Sequence, residues 1–124
     1  MILIKHLMDS IDPEDGQRLW IEPVNVTLDL RQWCKVDRIL NELAPRRQLW
    51  NWFMRHPDGY EYFRGMYHQS LDSGPTRDLA GDLARTALQE NITLLHQSDD
   101  PEHNSATALY EYLAELQAYC PPEI

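Results

Sequence analysis

The apolar run at residues 92–95, Ile-Thr-Leu-Leu, constrains the fold of this chain most, because it stands between a helix-stopping Asn91 and a wholly polar turn. Short apolar runs without polar alternation read as strands buried on both faces, and such strands belong to parallel sheets. The turn that follows carries helix-start signals: Asp100 as N-cap, Pro101 at the first helical position, and Glu102 where the helix dipole favours negative charge. On this reading His103 and Asn104 fall in the first turn of the last helix. In open α/β sheets ligands bind beyond the carboxyl ends of strands, beside helix N-termini with free N–H groups. The turn at residues 97–104 is therefore the candidate site. Capping alone would also select Asp99, Asp100 and Glu102, so the structural reading stands beside the functional one.

Other elements follow from periodicity. Ile2, Leu3, Ile4, Leu7 and Met8 predict a first strand, central in the sheet and ending at Asp9-Ser10. Turn chemistry at residues 11–16 leads to a second strand over residues 18–22, stopped by Pro23. Trp33, Val36, Ile39, Leu40 and Leu43 recur at helical spacing, which predicts an amphipathic helix over residues 31–43 with Cys34 at the edge of its stripe. A short helix carries Leu49, Trp50, Trp52 and Phe53 and is broken by Pro57. The next, from about Asp58, shows Tyr60, Phe63, Tyr67 and Leu71 on one face, widened by Tyr62 and Met66. Thr76 is the expected cap of a fourth helix with Leu79, Leu83, Ala84, Ala87 and Leu88. In the last helix Ala106, Leu109, Tyr110, Leu113 and Leu116 are expected to face inward, and Cys120-Pro121-Pro122 closes it. The sum is an α/β fold: one domain over residues 1–124, with a small, mainly parallel sheet of three or four strands and about five helices packed on it.

Charge and composition narrow the partners. Eleven basic residues against 20 acidic give a net charge of -9, which repels nucleic-acid backbones and anionic lipid surfaces, so neither nucleic acid nor membrane is expected as a partner. Cys34 and Cys120 lack any C-x-x-C spacing and no secretory signal is read in the opening residues, so two free thiols and a cytoplasmic location are expected. Four Trp and six Tyr are many for 124 residues, and some are expected to be exposed for a protein partner or a second copy. Arg46-Arg47 beside Trp50 and Trp52 mixes cations with aromatics, which in so acidic a chain reads as a protein contact or intrahelical packing.

No dinucleotide, phosphate-loop, zincin or nucleophile-elbow motif is present, and no cofactor is expected. His96, Asp99, Asp100 and His103 offer metal-ligand chemistry, but their spacing matches no closed site, so no metal is expected either. The candidate ligand-binding residues are Arg18, Arg64, Asp99, Asp100, His103 and Asn104. Arg18 is expected to pair with Asp9, Asp99 or Asp100, and convergence of Arg18, Arg64 and His103 on one cleft would favour a ligand site over a non-catalytic interaction module.

Several segments also resemble a known family. They are Asp15-Gly16-Gln17-Arg18; Leu43-Ala44-Pro45 with Leu49, Trp52 and Phe53; Phe63-Arg64 with Tyr67; and Thr93-Leu94-Leu95 followed by Glu102-His103-Asn104-Ser105-Ala106 and Leu113. In order and spacing these resemble the YeaO-like family, domain of unknown function 488, over nearly the whole chain. The resemblance implies a compact α/β domain and brings no established reaction. Two departures mark a divergent member. Where the family continues as Asp-Arg-Leu-Trp-Pro-Arg-Gly, this chain reads Glu22-Pro23-Val24-Asn25-Val26-Thr27, and the family's Pro-Ser-x-x-Leu-Arg becomes Pro45-Arg46-Arg47-Gln48-Leu49-Trp50.

Overall fold

The structure, a computed structural model, describes residues 1–119. Four parallel strands, β1 (Ile2–His6), β2 (Gln17–Trp20), β3 (Arg38–Ile39) and β4 (Ile92–His96), form one sheet in the order β1-β4-β2-β3. The α-helices among the described residues are α1 (Leu28–Trp33), α2 (Arg47–Arg55), α3 (Tyr60–Leu71), α4 (Gly74–Gln89) and α5 (Ser105–Ala118). None of them is long and apolar enough to cross a membrane.

Every residue of β4 is buried, as an unbroken apolar run requires of an inner strand. The first strand is not central. β1 lies at the sheet's edge, and its five residues are each only partly covered, because β4 takes the place between β1 and β2. Ile92 and Leu94 face the larger core with Leu19, Ile21, Phe63, Tyr67, Ala84, Leu109 and Leu113 from neighbouring strands and helices. Leu95 faces the other side of the sheet, where Trp20, Leu7, Cys34 and Val36 form a smaller core. Gly16, just before β2, has φ 62, and a Cβ there would lie 1.9 Å from the carbonyl oxygen of Asn91, just before β4, so no side chain is tolerated where the chain enters these two strands.

The segment 31–43 departs most from expectation. Its helix is six residues long, buries no side chain and ends at Cys34, after which Lys35 adopts a left-handed φ of 49. The chain then turns into β3, with Asp37 accepting the Arg18 N–H and donating its own N–H to the Arg18 carbonyl, both at 2.8 Å. Thus Ile39 lies in a strand, with Val36 and Leu40 flanking it, rather than on a helical stripe. Cys34 is buried and Trp33 is exposed.

Elsewhere the helical faces are narrower than expected. Tyr60, Phe63, Tyr67 and Leu71 are buried on α3, but Tyr62 and Met66 are exposed. α4 begins at Gly74, with Ser73 at the N-cap position making no side-chain cap bond and Pro75 in the first turn, so Thr76 lies inside the helix; Leu79 and Leu88 point outward. On α5 the inward aromatic is Tyr112, two residues past Tyr110 and so on a different face of the helix. Cys120, Pro121 and Pro122 lie outside the described residues.

Candidate functional site

Because the strands are parallel, their carboxyl ends share one edge, and the polar residues that follow them meet there. His6 and His96 are register partners on β1 and β4, with ring centroids 5.6 Å apart at 84°. Each holds the turn after its own strand: His6 Nδ1 accepts the Met8 N–H at 3.0 Å, and His96 Nδ1 accepts the Ser98 N–H at 3.1 Å. A ring that accepts at Nδ1 carries its hydrogen on Nε2, so both rings present an Nε2–H. Burial, reinforced by His6 alongside, pushes the His96 pKa below its usual value against the pull of Asp9 and Asp100.

Glu22, just past the end of β2, is buried at the same edge. Its carboxylate accepts the Gln97 N–H at 2.9 Å and the Trp50 Nε1–H at 2.5 Å, tying β2 to β4 and to α2. Burial raises its pKa, and those two hydrogen bonds with the field of His6 offset only part of the rise.

The turn that leads to α5 differs from its expected form. Asp100 does not cap the helix. Its carboxylate accepts the N–H groups of Glu102 at 2.9 Å and His103 at 3.1 Å, closing a turn of its own, and meets His103 Nδ1 at 3.1 Å. The Glu102 N–H is the main cause that lowers its pKa, followed by the His103 side chain and N–H. The cap is Asn104, which accepts the Thr107 N–H at 2.8 Å and donates to the Asp100 carbonyl at 2.9 Å. The helix starts at Ser105 because the local side-chain bonds of Asp100 hold residues 100–103 out of helical geometry. Ser105 is buried, and its hydroxyl has no hydrogen-bond partner among the described residues.

The named residues separate into two groups. Asp100, His103 and Asn104 share the turn, and the His103 ring lies 4.9 Å from that of Tyr60. Tyr60 donates to Glu111 at 2.8 Å, and Glu111 also binds Arg64, so Arg64 joins this group through two intermediaries. Asp99 is exposed. Arg18 is elsewhere: paired in register with Thr93, it faces away from the side of Leu94 and Leu19, with its side chain fully buried. Its partner is Asp15, three residues away, at 2.7 Å, and not Asp9, Asp99 or Asp100. Its Nε donates to the carbonyls of Cys34 and Lys35 where α1 ends. The convergence of Arg18 with Arg64 and His103 is therefore not formed. His6 and Glu22 are not among the residues the sequence marks, and His96 is marked only for metal-ligand chemistry, because only the strand order brings the three together; their common signal is a polar residue closing an apolar strand.

Two imidazoles and a carboxyl group of raised pKa can hold or exchange protons with a polar ligand. Among the described residues no three His, Cys, Asp or Glu side chains are grouped to hold a metal ion. Fold and edge together define a small α/β domain with an all-parallel sheet and its polar side chains gathered at the carboxyl ends. The chain belongs to the DUF488 family, which it matches over residues 1–119 through the model described as the inactive DUF488-N3 subclade. Uncharacterised proteins of Mycobacterium tuberculosis (strain H37Rv) and Mycobacterium bovis are each 27% identical to it over 85 residues, covering 63% of this chain and 67% of theirs. No solved structure matches it at a significant level.

Proposed function

We propose that this domain is a non-catalytic protein-interaction module whose contact surface is α1. The observation that carries the reading is that α1 buries none of its side chains, with Leu28 76% and Trp33 79% exposed and Leu30 beside them. Exposed aromatic and aliphatic side chains clustered on one short helix are the composition of a binding patch, not of a solvated face. The matched subclade is described as inactive, which agrees with a binding role. Affinity capture from the protein's own cells tests this, comparing wild type with the Leu28→Ser/Trp33→Ser double variant. A protein retained in stoichiometric amount by wild type and lost by the variant, with coincident thermal melts, is the expected result. Identical captures by both chains would overturn it.

A second reading, a small-molecule ligand held at the turn 97–104, draws on the unpartnered, buried Ser105 hydroxyl at the start of α5 and on Asp100, His103 and Asn104 around it. Titration with inorganic phosphate, followed by amide chemical shifts, separates the two. Saturable shifts confined to residues 97–106 would favour this ligand site.

A further inference from the structure

We infer that β1 is a self-complementary edge through which two copies of the chain join their sheets. In a parallel pair, alternate residues of a strand turn both backbone groups toward the same neighbour. The Met1 carbonyl accepts the Ile92 N–H at one end of the ladder, and Leu7 donates to the His96 carbonyl at 2.7 Å at the other. The odd-numbered residues of β1 thus face β4. The N–H and C=O groups of Ile2, Ile4 and His6 point out of the sheet, and among the described residues no strand lies beyond them. Those of His6 are already closed off, since its N–H donates to the Asp9 carboxylate at 2.8 Å and its carbonyl accepts the Asp9 N–H at 3.0 Å. What remains open is the pair Ile2 and Ile4.

The usual guards of an edge strand are disarmed here. There is no proline or bulge, and the one cation of the strand, Lys5, is drawn back to Asp15 at 2.7 Å and the Ser10 carbonyl at 2.9 Å. At the other end of the sheet, β3 is only two residues long, which limits pairing there.

Two antiparallel copies of β1 related by a twofold axis at Leu3 satisfy all four open groups. Ile2 then pairs with Ile4 of the second copy and Ile4 with its Ile2, each pair exchanging two hydrogen bonds. β-branched residues face β-branched residues across the seam on one face, and Leu3 meets its own copy on the other. The product is a continuous eight-stranded sheet.

Position 3 makes the arrangement testable, because any charge placed there meets itself. Light scattering on purified chains should give twice the monomer mass for wild type and the monomer mass for Leu3→Lys or Leu3→Glu alone. An equimolar mixture of those two variants should return to the doubled mass. Amide hydrogen exchange of wild type should show protection of Ile2 and Ile4 that is lost on dilution, a readout that needs no variant. A monomeric wild type with unprotected Ile2 and Ile4, a dimer that Leu3→Lys leaves intact, or variants whose mixture stays monomeric would each overturn the inference. The Leu28→Ser/Trp33→Ser variant should remain dimeric, so this interface and the α1 surface fail independently.

Discussion

Asp15 joins three parts of the chain through one buried carboxylate, which accepts from Lys5 on β1, from Arg18 on β2 and from the Asp12 N–H, while its carbonyl accepts the Thr93 hydroxyl of β4 at 2.8 Å. Burial pushes its pKa up, but the donors from Lys5, Asp12 and Arg18 outweigh it and hold the group below its ordinary value. A depressed folded-state pKa contributes stability above the unfolded value of about 3.9 and loses it as pH falls through the lower folded value. Asp15→Asn should therefore cost about 3–5 kcal/mol at neutral pH by leaving Arg18 without its counter-ion, and urea titrations should show a flatter acid limb below about pH 4. An acid limb unchanged from wild type would count against Asp15 as its source. His103 gives the contrasting case. It is half exposed, and His103→Ala should cost at most about 1 kcal/mol, whereas Leu94→Ala at the centre of β4 should cost about 2–5 kcal/mol. Melts that place the two variants together would remove the turn 97–104 as a ligand site.

At the scale of elements, the start of α5 separates a signal in the sequence from its use. Both Asp100 and Asn104 are competent caps, and Asp100-Pro101 has the stronger local signature. Yet Asn104 holds the Thr107 N–H. Asn104→Ala should cost about 0.5–2 kcal/mol in thermal melts, and Asp100→Ala should lower the melting temperature less; the reverse order would return the cap to Asp100. β4 was legible because burial on both faces leaves no polar alternation, and α3 because Tyr60, Phe63, Tyr67 and Leu71 repeat through its length. The segment 31–43 was not, since apolar spacing is indifferent to a reversal at Lys35, a residue type that seldom adopts positive φ. The site was half legible. Asp100, His103 and Asn104 are sequence neighbours and stayed together, whereas the pairing of Arg18 with Asp15, and of His6 with His96, depends on strand order.

For the whole molecule, the decisive feature is that β4, the inner strand between β1 and β2, comes after the other three in the chain. β1 and β2 are never neighbours and share a sheet only through it. A fragment of residues 1–91 should show no protected amides over residues 2–6 and 17–20 in hydrogen exchange; protection there would mean the early strands can pair without β4. During synthesis the consequence is one of timing. With translation at about 5–20 residues per second, the first strand leaves the ribosome roughly 4–17 seconds before the segment that completes it. Through that interval Ile2, Leu3 and Ile4 stay uncovered on a growing chain, a short hydrophobic tag that holdase chaperones are suited to shield and that neighbouring nascent chains could capture first.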